Sequence, residues 1–256
     1  MLIAILHNTR GILAFLLEVA VASLALRRGL AQRLPAFASY SILIVVAEIV
    51  RWSAFAEAGP ASPLYSHTYW WTQAGLIALR GFVVAEICRR AFGNGEGVWK
   101  LCRLILMVVA AVLCAHAIVE DWHVRTISKL VTVAEKDLEL AVLGTLVLAF
   151  VFARYYRIRI ERTIGFVAAG LIFYSAVQVV NSELLHAWLD YYFTYRVIVY
   201  NSFAVSMLIW LVAVWNPVPV GSASVASLDP RTYEQVMPEM NLRLRELNDR
   251  LLEILR

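Results

Sequence analysis

The apolar positions of this chain fall in long runs broken by short polar stretches. The runs cover residues 7–26, 35–58, 69–87, 101–119, 140–153, 163–189 and 192–215. A helix needs about 20 predominantly apolar residues to cross a ~30 Å hydrocarbon layer, so the pattern predicts an all-α, polytopic bundle of seven transmembrane helices. The run at 140–153 has only fourteen residues, about 21 Å of helix. That span must therefore take Glu135, Lys136, Asp137, Leu138 and Glu139 into its outer third. Pro35 suits the first turn of span two. Gly59-Pro60-Ala61-Ser62-Pro63 reads as a turn, Tyr69-Trp70-Trp71 as an interfacial aromatic belt, and Asn216-Pro217 as the stop after span seven. The segment carrying Glu120, Asp121, His123, Arg125 and Lys129 reads as a loop.

Residues 216–230, rich in Pro, Ser, Val and Ala, read as a flexible linker that closes the 1–215 transmembrane domain. Residues 231–256 then read as an amphipathic or short coiled-coil tail helix. Met240, Leu244, Leu247, Leu251 and Ile254 repeat at spacings of 4, 3, 4 and 3, and Glu246 and Arg250 form an i,i+4 pair on the same stretch. A helix lying on the membrane, or on the bundle's own loops, fits the seam equally well.

Composition agrees with the runs. The 256 residues are 61% hydrophobic and 16% charged, against about half and a quarter for soluble domains, and the mean hydropathy is +0.69. The net charge of +4 comes from basic residues scattered between the runs, with no basic stripe of the kind nucleic acid requires. Their distribution sets orientation instead. Eleven lie in one set of loops (Arg27, Arg28, Arg33, Arg89, Arg90, Lys100, Arg103, Arg154, Arg157, Arg159 and Arg162) and four in the other (Arg10, Arg125, Lys129 and Arg196). That bias places the N-terminus outside and the C-terminus in the cytoplasm, with no cleaved signal expected.

Charges inside the runs are the candidate chemistry, because a charge at bilayer depth is costly and needs a partner or a task. Counting about 1.5 Å per residue from the arginine-rich ends, Glu18, Arg80 and Glu48 fall at about 12, 14 and 18 Å, and Arg51 and Glu139 near 22 Å. Two polar levels follow: Glu18–Arg80–Glu48, and above it Arg51–Glu139 with Glu135 one turn higher. As plain ion pairs they would fix helix register. As a site they would form a pocket opening outward, or a proton path in which two acids share one arginine. Glu135, His116, Glu183, His186 and Arg196 gather at the outer rim as a candidate ligand site. The echo between Ala47-Glu48-Ile49-Val50-Arg51 and Ala85-Glu86-Ile87-Cys88-Arg89 has no second matching pair and reads as coincidence.

Established chemistries find little support. The histidines His7, His67, His116, His123 and His186 have no strong ligand spacing, although two of them, such as His116 and His186, could in principle hold haem or a metal on the outer side. No cofactor is expected. Cys88, Cys102 and Cys114 contain no C-x-x-C pair and read as small buried hydrophobes. Span seven has no lysine for a retinal Schiff base, there is no H-x-x-x-H pair of the ceramidase type, and no G-x-S-x-G motif occurs. A non-enzymatic protein is the expectation.

Leu34-Pro35-Ala36-Phe37 opening span two, Trp215-Asn216-Pro217 closing span seven, and the tail Met240-Asn241-Leu242-Arg243-Leu244-Arg245-Glu246-Leu247-Asn248 together resemble uncharacterised seven-span bacterial integral membrane proteins. The resemblance implies the fold and the inner membrane but no activity. In layout the chain also resembles seven-helix sensory modules that precede cytoplasmic signalling domains, except that it stops after a short helix. The expected function is a sensory or scaffolding module that acts through its tail, with the bilayer, and a protein partner or second copy, as its associates. A proton-coupled transporter or ion path using the intramembrane carboxylates is the alternative, against which the spans lack paired Gly/Pro breaks.

Overall fold

The computed structural model describes residues 2–92, 96–124, 127–155, 158, 160–187 and 192–215, together with six positions of the tail. These form helices α1 (Leu2–Arg27), α2 (Leu30–Arg33), α3 (Pro35–Ala58), α4 (Pro63–Phe92), α5 (Glu96–Val124), α6 (Ile127–Tyr155), α7 (Arg162–Ala187) and α8 (Tyr192–Trp215), with no strand among the described residues. Four of them contain stretches long and apolar enough to cross a membrane: α4, α6 over Ala134–Tyr155, α7 over Arg162–Leu184, and α8 over Val197–Trp215. This marks the chain as a membrane protein.

The helix ends follow local chemistry. Pro35 opens α3, and Gly59, at φ 79°, closes it by donating its N–H to the Phe55 carbonyl at 2.9 Å. That left-handed backbone angle suits glycine. Ser62 caps α4 by accepting the Tyr65 N–H at 3.1 Å. Gly29, at φ 71°, makes the turn between α1 and the single-turn α2. The segment around Glu120 to Lys129 departs from the loop expectation. α5 continues to Val124 and α6 begins at Ile127, because polar residues beyond the bilayer can extend a helix whose backbone bonds are already satisfied.

Six helices close a ring. α1 packs on α3, α3 on α4, α4 on α6, α6 on α7, α7 on α8, and α8 returns to α1. α5 lies outside the ring, against α4 and α6. Among its described side chains, the partly buried Trp99, Cys102 and Leu106 pack against the core. The ring's interior is built from residues at helical spacing: Phe37, Tyr40, Ile44 and Ala47 on α3, Val83 and Ile87 on α4, Val142 and Leu146 on α6, Val167 and Leu171 on α7, and Met207, Trp210 and Val214 on α8. Outward faces are apolar too, with Leu16, Trp52, Phe82, Val112, Leu148, Val180 and Val212 all exposed. A surface of that kind fits a hydrocarbon solvent.

Trp210 fills the ring near its arginine-bearing end. Its indole N–H donates to the Val167 carbonyl at 3.0 Å. Its ring stands edge-on to Phe37 and Tyr40 across the interior, with centroids 5.5 and 5.9 Å away. Gly170 is what makes room, since a Cβ there would sit 2.3 Å from the indole nitrogen.

Candidate functional site

The α7 stripe that begins with Val167 and Leu171 turns polar further along, with Tyr174, Ser175, Gln178 and Asn181 all buried. This polar stretch meets the middle of α4 and α6. There Arg80 forms an ion pair with Glu139, both side chains almost wholly buried. The second Glu139 oxygen accepts the Ser175 hydroxyl at 2.5 Å. The Arg80 Nε donates to the Tyr40 hydroxyl at 3.2 Å. Its guanidinium also lies over the Tyr174 ring, 5.1 Å from the centroid, and the Tyr174 hydroxyl accepts from Gln178 at 2.7 Å. A charge this deep is tolerated because ion pairing, hydrogen bonds and an aromatic face together replace its hydration.

A second polar cluster lies further from the arginine-bearing end, around Arg51 on α3. Arg51 contacts Glu48 on its own helix at 3.2 Å, and on α4 it donates to the Thr72 hydroxyl at 2.8 Å and the Gln73 carbonyl at 2.9 Å. Its guanidinium is 4.6 Å from the Tyr69 ring centroid. Gln73 passes the chain on, its amide donating to Glu135 on α6 at 2.7 Å. α4 and α6 are therefore joined twice, by Gln73–Glu135 and by Arg80–Glu139. The Arg51 cluster is only partly buried, with the Glu48 side chain 32% exposed. It is accordingly the more accessible of the two clusters.

Two further carboxylates complete the interior. Glu18 on α1 is buried, and its Oε2 has no hydrogen-bond partner. Glu86 on α4 accepts the backbone N–H groups of Ala36 at 3.3 Å and Phe37 at 3.1 Å, so it caps the first turn of α3, whose own N-cap residue Leu34 provides no side-chain bond.

The expected pairing is rearranged. The sequence pairs Arg80 with Glu18 and Glu48, and Arg51 with Glu139. In the structure Arg80 takes Glu139, and Arg51 takes Glu48, Thr72 and Gln73. Depth counting fixes Cα heights only to a few ångströms. It ignores both the reach of arginine and the fact that α6, not α5, is the ring neighbour of α4. The expected rim site is not assembled as one group. Glu135 joins Gln73, His116 lies 2.5 Å from Asp137, and Glu183 pairs with Lys136 at 2.9 Å. The side chains of His186 and Arg196 lie outside the described residues, as do those of His7, His123 and Cys114. Of the tail, the Glu246–Arg250 pair is present at 2.6 Å, while Met240, Leu244, Leu247, Leu251 and Ile254 lie outside the described residues. Cys88 is buried and Cys102 partly buried, both as free thiols.

Several interior residues went unmarked because uncharged polar side chains do not stand out in an apolar run. Tyr40, Thr72, Gln73, Tyr174, Ser175 and Gln178 are of this kind. The available signal was the two amides, Gln73 and Gln178, standing inside spans. Among the described residues no three His, Cys, Asp or Glu side chains come together as a metal site. No protein family, curated protein or solved structure matches the chain.

Proposed function

We propose that the protein is a non-enzymatic sensory or scaffolding module of seven membrane-spanning helices, with its N-terminus outside and its tail in the cytoplasm of a bacterial inner membrane. The observation that carries this reading is the double link between α4 and α6. The partly exposed Gln73–Glu135 contact and the buried Arg80–Glu139 pair lie on the same two helices. A polar ligand that takes over the hydrogen bonds of Gln73 or Glu135 would bias the packing of both helices at the buried pair, which is what a two-state element needs in order to pass a signal. Both helices run toward the arginine-bearing end, where Phe92 and Phe152 meet edge to face at 5.5 Å. The eleven-to-four bias of basic residues supports the orientation, and the seven apolar runs, the shortest of them lengthened by Glu135 to Glu139, support seven crossings.

The test is to purify the full chain and a chain lacking residues 230–256 in mild detergent, each carrying two distinguishable tags. Self-association or partner retention that depends on the tail is the expected result. Equal association with and without the tail would remove the tail from the function. Retained transport activity in the truncated chain would favour a proton-coupled carrier. Reporters fused to the two termini must register opposite compartments.

A further inference from the structure

Among the described residues Glu18 is a buried interior acid with an unpartnered carboxylate oxygen, and the cation that acts on it, Arg51, is shared with Glu48. The level of Glu18 in the bundle follows from its neighbours. α1 and α3 pack against each other and run in opposite directions through the α2 turn. Phe15 on α1 stacks on Trp52 of α3, with centroids 5.7 Å apart. One turn closer to the arginine-bearing end come Glu18 on α1 and Glu48 on α3, so the two residues share one level of the bundle. The guanidinium of that level, Arg51, is already engaged by Glu48, Thr72 and Gln73. Glu18 is 5% exposed and its Oε2 is closed off from solvent without a partner.

Among the described side chains, the other faces offer no further cation at this level. α2 contributes Arg33, at the far end of α1. On α8 the titratable side chains described are Tyr195 and Tyr200. Arg80 on α4 is held by Glu139 and Tyr40. Among the described residues, and apart from Glu86 at the start of α3, the interior thus sets four acids (Glu18, Glu48, Glu135 and Glu139) against two bases, Arg51 and Arg80. A metal ion would need several oxygens around it, whereas a proton needs one. An ionised carboxylate without a partner in an apolar interior is far costlier than its neutral acid.

We propose that Glu18 is a proton-binding site: in the resting bundle its carboxyl carries a proton at Oε2, lost as a proton to water, and Glu48 is the charge that opposes that loss. The inference is independent of the tail and of any ligand, so it can fail without affecting the proposed function, and the reverse also holds.

Infrared difference spectra of the full-length protein in lipid vesicles, taken between neutral and alkaline pH, test it. The wild type should lose a carboxylic-acid carbonyl band and gain a carboxylate band. Glu18→Gln should abolish that change. Glu48→Gln removes the opposing negative charge and should move the release to lower pH by roughly one unit. The proposal is overturned if the wild type has no carboxylic-acid band at neutral pH, if the band survives in Glu18→Gln, or if Glu48→Gln leaves the release where it was. The wild-type and Glu48→Gln spectra decide the matter even where Glu18→Gln does not fold.

Discussion

Arg80 and Glu139 form an ion pair whose two side chains are only 4% and 3% exposed. Removing either one leaves the other charge stranded in an apolar interior. Arg80→Ala or Glu139→Ala should each cost on the order of 3–5 kcal/mol, read as a large fall in the melting temperature of the detergent-solubilised protein or as loss of the monodisperse species. Hydrogen bonds between membrane helices average well under 1 kcal/mol, so a loss of this size separates a stranded charge from an ordinary polar contact. The variant Arg80→Met with Glu139→Leu should recover much of the loss. If the single variants melt like wild type, the buried pair is not holding α4 to α6.

Gly170 should be intolerant of even one added carbon. A Cβ there would stand 2.3 Å from Trp210 Nε1 and 2.7 Å from its Cδ1, and the indole cannot swing away because Phe37, Tyr40 and its bond to Val167 hold it. Overpacking of this kind costs about 1–3 kcal/mol. Gly170→Ala should lower the melting temperature and shift the tryptophan emission. Combining it with Trp210→Phe should cost less than the sum of the two single changes, which a double-mutant cycle measures.

The ends of two helices were readable in the sequence. Pro35 and Gly59 bracket α3, and Asn216-Pro217 follows Trp215 at the end of α8, because backbone-restricting residues act locally. Interior partners were not readable, since they depend on which helices become neighbours. Arg80 meets Glu139 because α4 skips past α5 to pack on α6. Between the two α4–α6 links the chain advances seven residues on α4, from Gln73 to Arg80, but four on α6, from Glu135 to Glu139. The difference of about 4.5 Å is covered by the long arginine side chain. Glu86 escaped notice for another reason. It appears in the sequence only within an echo that reads as coincidence, and nothing in its neighbours Arg89 and Arg90 signals that its carboxylate turns inward to the first turn of α3.

That turn gives the next prediction. Glu86 accepts from Ala36 and Phe37, and its negative charge stands at the positive end of the α3 dipole. Glu86→Ala should cost about 0.5–2 kcal/mol, the usual loss for an N-cap, and should raise amide exchange at Ala36 and Phe37 selectively. Glu86→Gln keeps an acceptor without the charge and should fall between the two. Unchanged exchange at these amides in Glu86→Ala would mean that α3 starts without help from α4.

Gln73 and Lys136 offer a paired comparison, because Gln73 reaches Glu135 and Lys136 is the next residue of α6, yet the two contacts differ in burial. Gln73 accepts from Arg51 and donates to Glu135 in the partly buried cluster, so Gln73→Ala breaks two bonds to charged groups at once. Each such bond contributes about 1.5–3 kcal/mol when its partner is left unsatisfied, and part of that returns where water can enter beside Glu48. A net loss of about 1–2 kcal/mol is expected for the variant. Lys136 lies 2.9 Å from Glu183, but their side chains are 47% and 63% exposed. Lys136→Ala should therefore change stability by less than about 1 kcal/mol, and its small effect should shrink further as salt is added. Thermal melts of the two variants at low and high salt decide the point. A salt-insensitive loss for Lys136→Ala as large as that for Gln73→Ala would show that burial does not rank these contacts, and would weaken the case for treating the Arg51 cluster as the responsive part of the bundle.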